Sequence, residues 1–331
     1  MGRIDNEDII PAMRIAVLVL DDVFDMGLSA ILDTLATAND LAADGGPASA
    51  RFSVRVVGVR RRVRTHQGMT VPVEDAATGR RPDVVLLPAL GAKTPEAIGA
   101  ALSRRDVVEA GALLRRWAGA STLVGAACTG TFVLAESGLL DGQRATTTWW
   151  LASLFRRRYP GIELDESRMV VEARGVVTAG AALAHLDLAL WMVRRQSPEL
   201  AALAARYLVV EPRPSQAVFA IPDHLAHEDD VVKRFERWAR EHLAAFSLGA
   251  AARSVGASER TLARRTRAVL GKSPLSYVQD LRVEHAVHLL QTTDASVDEI
   301  AAAVGYANGV TLRTLLRRKL GRGVRELRQR A

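Results

Sequence analysis

With a single cysteine, Cys128, among its 331 residues, the chain cannot form an internal disulfide, and a reducing compartment is its natural home. No stretch approaches 18 consecutive apolar residues, which excludes a membrane-spanning helix. The first eleven residues have no long apolar core and carry Arg3, Asp5, Glu7 and Asp8, so no secretory signal is expected. Asn6 stands where N-myristoylation wants Ser or Thr. The expected location is cytoplasmic. Low-complexity tracts are missing too, and residues 1–240 lack net charge, with 29 Lys and Arg against 29 Asp and Glu. The whole excess of +7 lies in residues 241–331, where 15 basic residues face 8 acidic ones. A neutral body with a basic end suits a phosphate-binding module, although a solvated basic surface would give the same balance.

What is present is an ordinary globular composition, 49% hydrophobic and 24% charged, at a length that favours two or three domains. Residues 14–20 form a short apolar run rich in β-branched side chains, as in a buried parallel strand. Leu28, Ile31, Leu32, Leu35 and Ala38 have helical spacing. Residues 52–59 alternate, and 83–87 and 122–125 read as further core strands, with a helix over 107–117 between the last two. Strand and helix alternate, so 13–195 is expected to be an α/β doubly wound parallel-sheet domain. Residues 196–230 hold Pro198, Pro212, Pro214 and Pro222 and the acidic Glu228, Asp229 and Asp230, which marks a linker. Residues 231–331 read as helices only, an all-α domain.

Within that domain one plan occurs twice. A short helix over 248–255 meets Gly256, then Ser258 as a helix N-cap, then a helix burying Leu262 and Thr266 with Arg260, Arg264 and Arg267 roughly opposite. From Ser296, which with Glu299 fits a capping box, a second short helix meets Gly305, 49 residues after Gly256. The helix that follows buries Leu312, Leu316 and Leu320 and turns Arg313, Thr314 and Arg317 outward. Leu275, Val278, Leu281, His285 and Leu289 are expected to be the inner face of a linking helix. Two helix-turn-helix units with arginine-faced second helices suit major-groove reading; a plain helical bundle is the alternative. With Thr261 and Asn308 at the two helix starts, the candidate DNA-contacting set is Ser258, Arg260, Thr261, Arg264, Arg267, Asn308, Arg313, Thr314 and Arg317.

Residues 243–330 resemble the C-terminal domain of AraC-family regulators. The resemblance rests on the turn at Gly256–Ser258, G-K-S-P at 271–274, R-V-E-H-A at 282–286 and G-Y-A-N at 305–308. It implies one recognition helix in each of two successive major-groove segments. The chain departs from the family at Leu312, Leu316 and Leu320, where Phe is usual, and at Gly323, Val324 and Leu327.

Cys128 follows a strand and precedes a helical stretch, the setting of a nucleophile elbow, where a helix N-terminus favours a thiolate. A lone cysteine is otherwise a small buried hydrophobe. Residues 13–195 resemble the PfpI-like branch of the class I glutamine amidotransferase superfamily, and the whole chain resembles regulators of GlxA type. The matching stretches are D-M-G-L-S at 25–29, C-T-G-T-F-V-L-A-E-S-G-L-L-D-G at 128–142, A-T-T-T-W-W at 145–150 and T-A-G-A-A-L-A-H-L-D-L-A-L at 178–190. Thr129 stands where hydrolytic relatives place His, and Thr148 where GlxA-type regulators commonly place it. None of the seven His falls at either position, and His185 is read as structural. The resemblance therefore implies a sensor, not an enzyme, with a candidate pocket of Asp25, Gly91, Cys128, Thr129, Thr148 and Trp150.

The expectation is a DNA-binding transcription regulator governed by a small polar metabolite. The resemblance implies nitrogen compounds such as amino acids or amines as effectors, and a homodimer formed through the α/β domain. RNA polymerase is a further candidate partner; no catalytic residue, metal or cofactor is expected. The rivals are a thiol-dependent hydrolase or glyoxalase-like enzyme, which needs a base near Cys128, and a redox sensor acting through that thiol.

Overall fold

The computed structural model describes residues 12–44, 51–118, 122–211, 213, 215–216, 219, 227 and 229–328. The terminal stretch Met1 to Pro11 and the linker residues Pro212, Pro214, Pro222 and Glu228 lie outside the described residues. The chain divides into two compact units. One comprises Met1–Trp149 and Gly161–Gln216; the other comprises Trp150–Pro160 and Ala217–Ala331.

The first unit is built on a seven-stranded sheet. In β1 (Met13–Leu18), Ile15, Ala16, Val17 and Leu18 are all buried, so both faces of the strand are covered. Helix α1 (Asp25–Ala43) buries Leu28, Ile31, Leu35 and Ala38, the face its spacing predicts. Next come β2 (Phe52–Gly58), a hairpin of β3 (Arg62–Arg64) and β4 (Thr70–Pro72), the short β5 (Glu74–Asp75) and β6 (Val84–Leu87). Helices α2 (Pro95–Leu102) and α3 (Arg105–Ala118) precede β7 (Leu123–Ala127) and α4 (Gly130–Glu136). A small pair, β8 (Arg144–Ala145) and β9 (Glu163–Leu164), flanks α5 (Ala152–Arg158), which belongs to the second unit. Strands β10 (Val170–Ala173) and β11 (Val176–Ala179) lead to α6 (Ala184–Gln196) and α7 (Pro198–Tyr207).

The strand order is β10-β11-β7-β6-β1-β2-β5, parallel throughout except for β10 at one edge. Between β1 and β6 the winding reverses. In open α/β sheets that point opens a crevice beyond the carboxyl ends of the strands. Residues 19–25, 88–91 and 128–129 follow β1, β6 and β7, so these three segments form the rim of that crevice. The stretch expected as a linker begins inside this unit, with α7 and the described residues Arg213, Ser215 and Gln216.

The second unit holds α8 (Asp230–Glu241), α9 (Leu248–Ser254), α10 (Glu259–Leu270), α11 (Pro274–Thr292), α12 (Val297–Ala303), α13 (Gly309–Leu320) and α14 (Val324–Arg328). Two separate cores fill it. Val232, Phe235, Leu262, Tyr277 and Leu281 belong to the first. Val283, Leu290, Ile300, Leu312, Leu316 and Leu327 belong to the second. The inner face of α11 differs from expectation. Leu275 and His285 are exposed and Leu289 is half-buried, while Tyr277, Val278, Leu281, Val283, Ala286 and Leu290 are buried. The helix serves one core with its first half and the other with its second, so no single stripe runs its length. On α13 the buried set is Leu312, Leu315 and Leu316, with Leu320 half-buried. Among the described residues no helix is long and apolar enough to cross a membrane.

Candidate effector site and nucleic-acid interface

The loop after β6, Pro88 to Gly91, is the hub of the sheet unit. Ala89 N–H donates to His185 Nε2 at 2.9 Å, and the Ala89 carbonyl accepts from Phe24 N–H at 2.8 Å. The Leu90 carbonyl accepts from the Thr129 hydroxyl at 2.7 Å. Gly91 N–H donates to the Asp22 carbonyl at 2.6 Å. Cys128 closes the elbow in a left-handed conformation, φ 55°, with its N–H on the Ala179 carbonyl at 2.8 Å. Its own carbonyl accepts from the Thr147 hydroxyl at 2.8 Å. Only glycine fits at 130: a Cβ there would lie 2.7 Å from the Pro88 carbonyl oxygen. The elbow is thereby pressed onto the hub, and Cys128, Thr129, Thr148 and Gly91 are all buried.

Burial decides the chemistry of the thiol. Cys128 is 4% exposed, and burial pushes its pKa up to about 12, against smaller lowering by the Thr129 N–H and by the Thr148 and Thr129 hydroxyls. The Thr148 hydroxyl makes no hydrogen bond of normal geometry. The thiolate expected at the helix start is therefore absent at neutral pH: desolvation outweighs what the seven-residue α4 offers. His185 is structural. Its Nε2 accepts from Ala89, so Nδ1 carries the proton and donates to the Ala182 carbonyl at 2.6 Å. Burial lowers its pKa to about 4, and the imidazole is neutral.

Asp25 opens α1. Its Oδ2 accepts from Gln67 N–H at 3.0 Å, while its buried Oδ1 has no partner. Trp150 opens the Trp150–Pro160 segment of the second unit. Sequence reasoning missed His66, its partner Asp22, and Gln216. His66 packs on Gly91, where a Cβ would fall 2.1 Å from its Nδ1, and that nitrogen lies 2.7 Å from Asp22 Oδ1. Gln216 is fully buried and donates from Nε2 to the Thr147 carbonyl at 2.8 Å and the Thr146 hydroxyl at 3.1 Å. The exit of the sheet unit is thus bonded to the threonine stretch that holds the Cys128 carbonyl.

The helical unit repeats its geometry closely. Ser258 caps α10 by accepting from Thr261 N–H at 3.1 Å; Asn308 caps α13 by accepting from Thr311 N–H at 3.0 Å. Gly256 and Gly305 supply the left-handed turns, φ 69° and 84°. The capping box of Ser296 and Glu299 is complete. Arg260, Arg264 and Arg267 form one exposed stripe on α10, and Arg313, Thr314 and Arg317 are exposed on α13. Ser258 and Asn308 are exposed and Thr261 is half-buried. None of the five arginines makes an ion pair among the described residues. The repeat adds two exposed residues to the start of α13, Val310 and Thr311.

The DJ-1/PfpI family matches residues 13–195, and a helix-turn-helix domain family matches residues 251–330. The HTH-type transcriptional regulator CdhR of Pseudomonas aeruginosa is 26% identical over 274 residues, 80% of this chain and 74% of that one. The HTH-type transcriptional regulator GlxA of Rhizobium meliloti is 27% identical over 223 residues, 66% of this chain and 68% of that one. The crystal structure of an AraC family transcriptional regulator from Pseudomonas putida superposes with a TM-score of 0.50 at 21% identity, covering 60% of this chain and 100% of that one, a likeness of fold. With the sheet and elbow of that fold at one end and the paired helix-turn-helix units at the other, the chain belongs to the DJ-1/PfpI family and is a DNA-binding transcription regulator of GlxA type.

Proposed function

We propose that the sensor domain, residues 13–195, has no catalytic activity, and that a small polar metabolite bound at its hub governs the DNA-binding end, residues 231–331. The observation that carries this is the thiol. Burial holds Cys128 near pKa 12, and the groups that shift it are threonines, with no imidazole among them. A neutral thiol without a base lacks the proton transfer that turnover needs. Its burial also opposes the redox reading, because oxidation follows thiolate character and exposure. Gly91, Cys128, Thr129 and Thr148 form a neutral polar floor. The unpartnered Asp25 Oδ1 suits an N–H donor, which favours amino acids or amines. On the DNA side, Ser258, Arg260, Thr261, Arg264, Arg267, Asn308, Arg313, Thr314 and Arg317 are the proposed contacts. The chain acts as a homodimer through the sheet unit, with RNA polymerase as a further partner.

Calorimetric titration of the full chain with a panel of amino acids and amines tests the reading. One compound binds, Asp25→Asn weakens it about tenfold or more through loss of a charged hydrogen bond, and Cys128→Trp blocks it. Hydrolase or glyoxalase turnover that Cys128→Ser abolishes overturns it, as does a panel with no binder. Light scattering that finds only monomer at micromolar concentration overturns the dimer.

A further inference from the structure

Among the described residues the cores of the two helix-turn-helix units share no residue, and α11 is the one helix that runs through both. Helix α11 alone would let the two recognition helices twist relative to each other by whatever it bends. A polar link crosses this gap. Asp280, on the first half of α11, accepts from Lys272 Nζ through Oδ2 at 2.9 Å and from Lys319 Nζ through Oδ1 at 2.8 Å. Lys272 directly follows Gly271, the C-cap of α10, and Lys319 lies in the last turn of α13. One carboxylate therefore ties together the carboxyl ends of both recognition helices. The three side chains are 26–28% exposed, which strengthens the pairs relative to fully solvated ones.

The two contacts do different work. Lys272 and Asp280 both belong to the half of the unit built on the first core, so that pair orients the carboxylate. Lys319 belongs to α13, which packs in the second core, so that pair bridges the halves. A second bridge lies nearby: the Arg282 guanidinium donates to the Leu243 carbonyl at 2.9 Å and covers the Tyr306 ring at 5.0 Å. Recognition helices in successive major-groove segments must keep the phase of the duplex, and a one-base-pair error rotates one by about 34–36° against the other.

We propose that Asp280 is a positioning residue for DNA recognition: by holding Lys272 and Lys319 it fixes the angle between α10 and α13, and so selects the spacing of the two half-sites the chain accepts. Asp280 touches no base. It also draws two ammonium groups away from phosphates, so its loss acts oppositely on specific and non-specific binding.

The test uses the full chain and a duplex selected by the wild type from a random DNA pool. Affinity is compared for that duplex, for versions with one base pair inserted or deleted between the two footprinted half-sites, and for an unrelated duplex. The wild type loses about tenfold or more on changing the spacing, as for a mismatched base pair. Asp280→Asn and Lys319→Gln reduce that discrimination to about threefold or less. Asp280→Asn also binds the unrelated duplex as well as the wild type or better. Lys272→Gln keeps most of the discrimination, and Asp280→Glu restores part of it. The proposal is overturned if Asp280→Asn and Lys319→Gln keep the wild-type spacing preference. It is equally overturned if they weaken all duplexes alike with a lowered Tm, which is the mark of a merely structural role. A wild type that selects no duplex removes the DNA-binding function and this proposal together.

Discussion

On α10 and α13 five arginines stand exposed without ion pairs among the described residues, whereas at the hub of the sheet unit a thiol, an imidazole and three threonines are buried and neutral. The difference follows from the partners. A polyanion is met by solvated cations, whose gain comes from releasing counterions. A small ligand is met instead by a few placed polar groups in a buried site. Most of them here are neutral dipoles already satisfied by the fold, such as the Thr129 hydroxyl on Leu90 and the Thr147 hydroxyl on Cys128, and the exception is the unpartnered Asp25 Oδ1.

The largest effect expected from breaking this contrast is on the arginine side. Arg264→Ala with Arg313→Ala lowers affinity for the selected duplex by about 2–6 kcal/mol, since a bidentate arginine contributes about 1–3 kcal/mol of base discrimination. Competition against unrelated DNA checks it, because contacts to bases lose specificity while phosphate contacts lose affinity alike for all sequences. Equal losses on every duplex would move these side chains to the phosphates.

On the buried side the corresponding lever is pH. The folded pKa of His185 lies below the ordinary value of about 6.5, so the unfolded chain takes up the proton first as pH falls. The stability this neutral imidazole contributes is complete above pH 6.5 and lost between about 6.5 and about 4. The loss is about 3 kcal/mol at most. Urea unfolding of the sheet unit across this range measures it. Nuclear magnetic resonance titration of the His185 ring measures its cause; a midpoint near 6.5 would refute a sealed imidazole.

The same contrast explains what could be read from the sequence. Strands, helices and the twofold helix-turn-helix plan were legible because each writes a local period: Leu262 and Thr266 inward, Arg260 and Arg264 outward. The face of α11 was not, because two cores share it and the period breaks between Leu281 and Val283. At the hub, Cys128 and Thr129 were visible through their resemblance to a known elbow. His66 on Gly91 and Gln216 on Thr147 were not, since those contacts join distant loops and leave no local pattern. The thiol's ionisation was left open by the sequence for a related reason. Helix position is readable from sequence, while the depth of burial that overrides it is a tertiary property.

A smaller effect compares the two repeats with each other. Ser258→Ala and Asn308→Ala each remove an N-cap hydrogen bond, of 3.1 Å and 3.0 Å, and each cost about 1 kcal/mol of local stability. Hydrogen exchange in α10 and α13 reads the two losses separately. If Asn308→Ala weakens DNA binding by more than its loss of stability explains, Asn308 contacts DNA as well as capping.

The smallest effect is expected at the most conspicuous residue. Serine at 128 keeps a hydroxyl donor where the buried thiol stood and keeps the main-chain bonds to Ala179 and Thr147, which do not involve the side chain. Cys128→Ser therefore changes stability by less than about 1 kcal/mol, within the range of conservative substitutions. DNA binding and the effector response stay near wild type. The thiol itself reacts slowly: with a pKa near 12 against about 8.5 for a free cysteine, its thiolate fraction at neutral pH is about three orders of magnitude lower. Alkylation by iodoacetamide at pH 7 measures this directly, with the unfolded chain as reference. Alkylation of the folded protein at the reference rate would mean the thiol is open and ionised, and the enzyme and redox readings would return. Slow alkylation together with a Cys128→Ser protein that has lost its effector response would leave the thiol neutral but make sulfur itself a ligand contact. Only slow alkylation with the response intact separates the elbow, which the fold requires, from the nucleophile that elbows of this shape elsewhere carry.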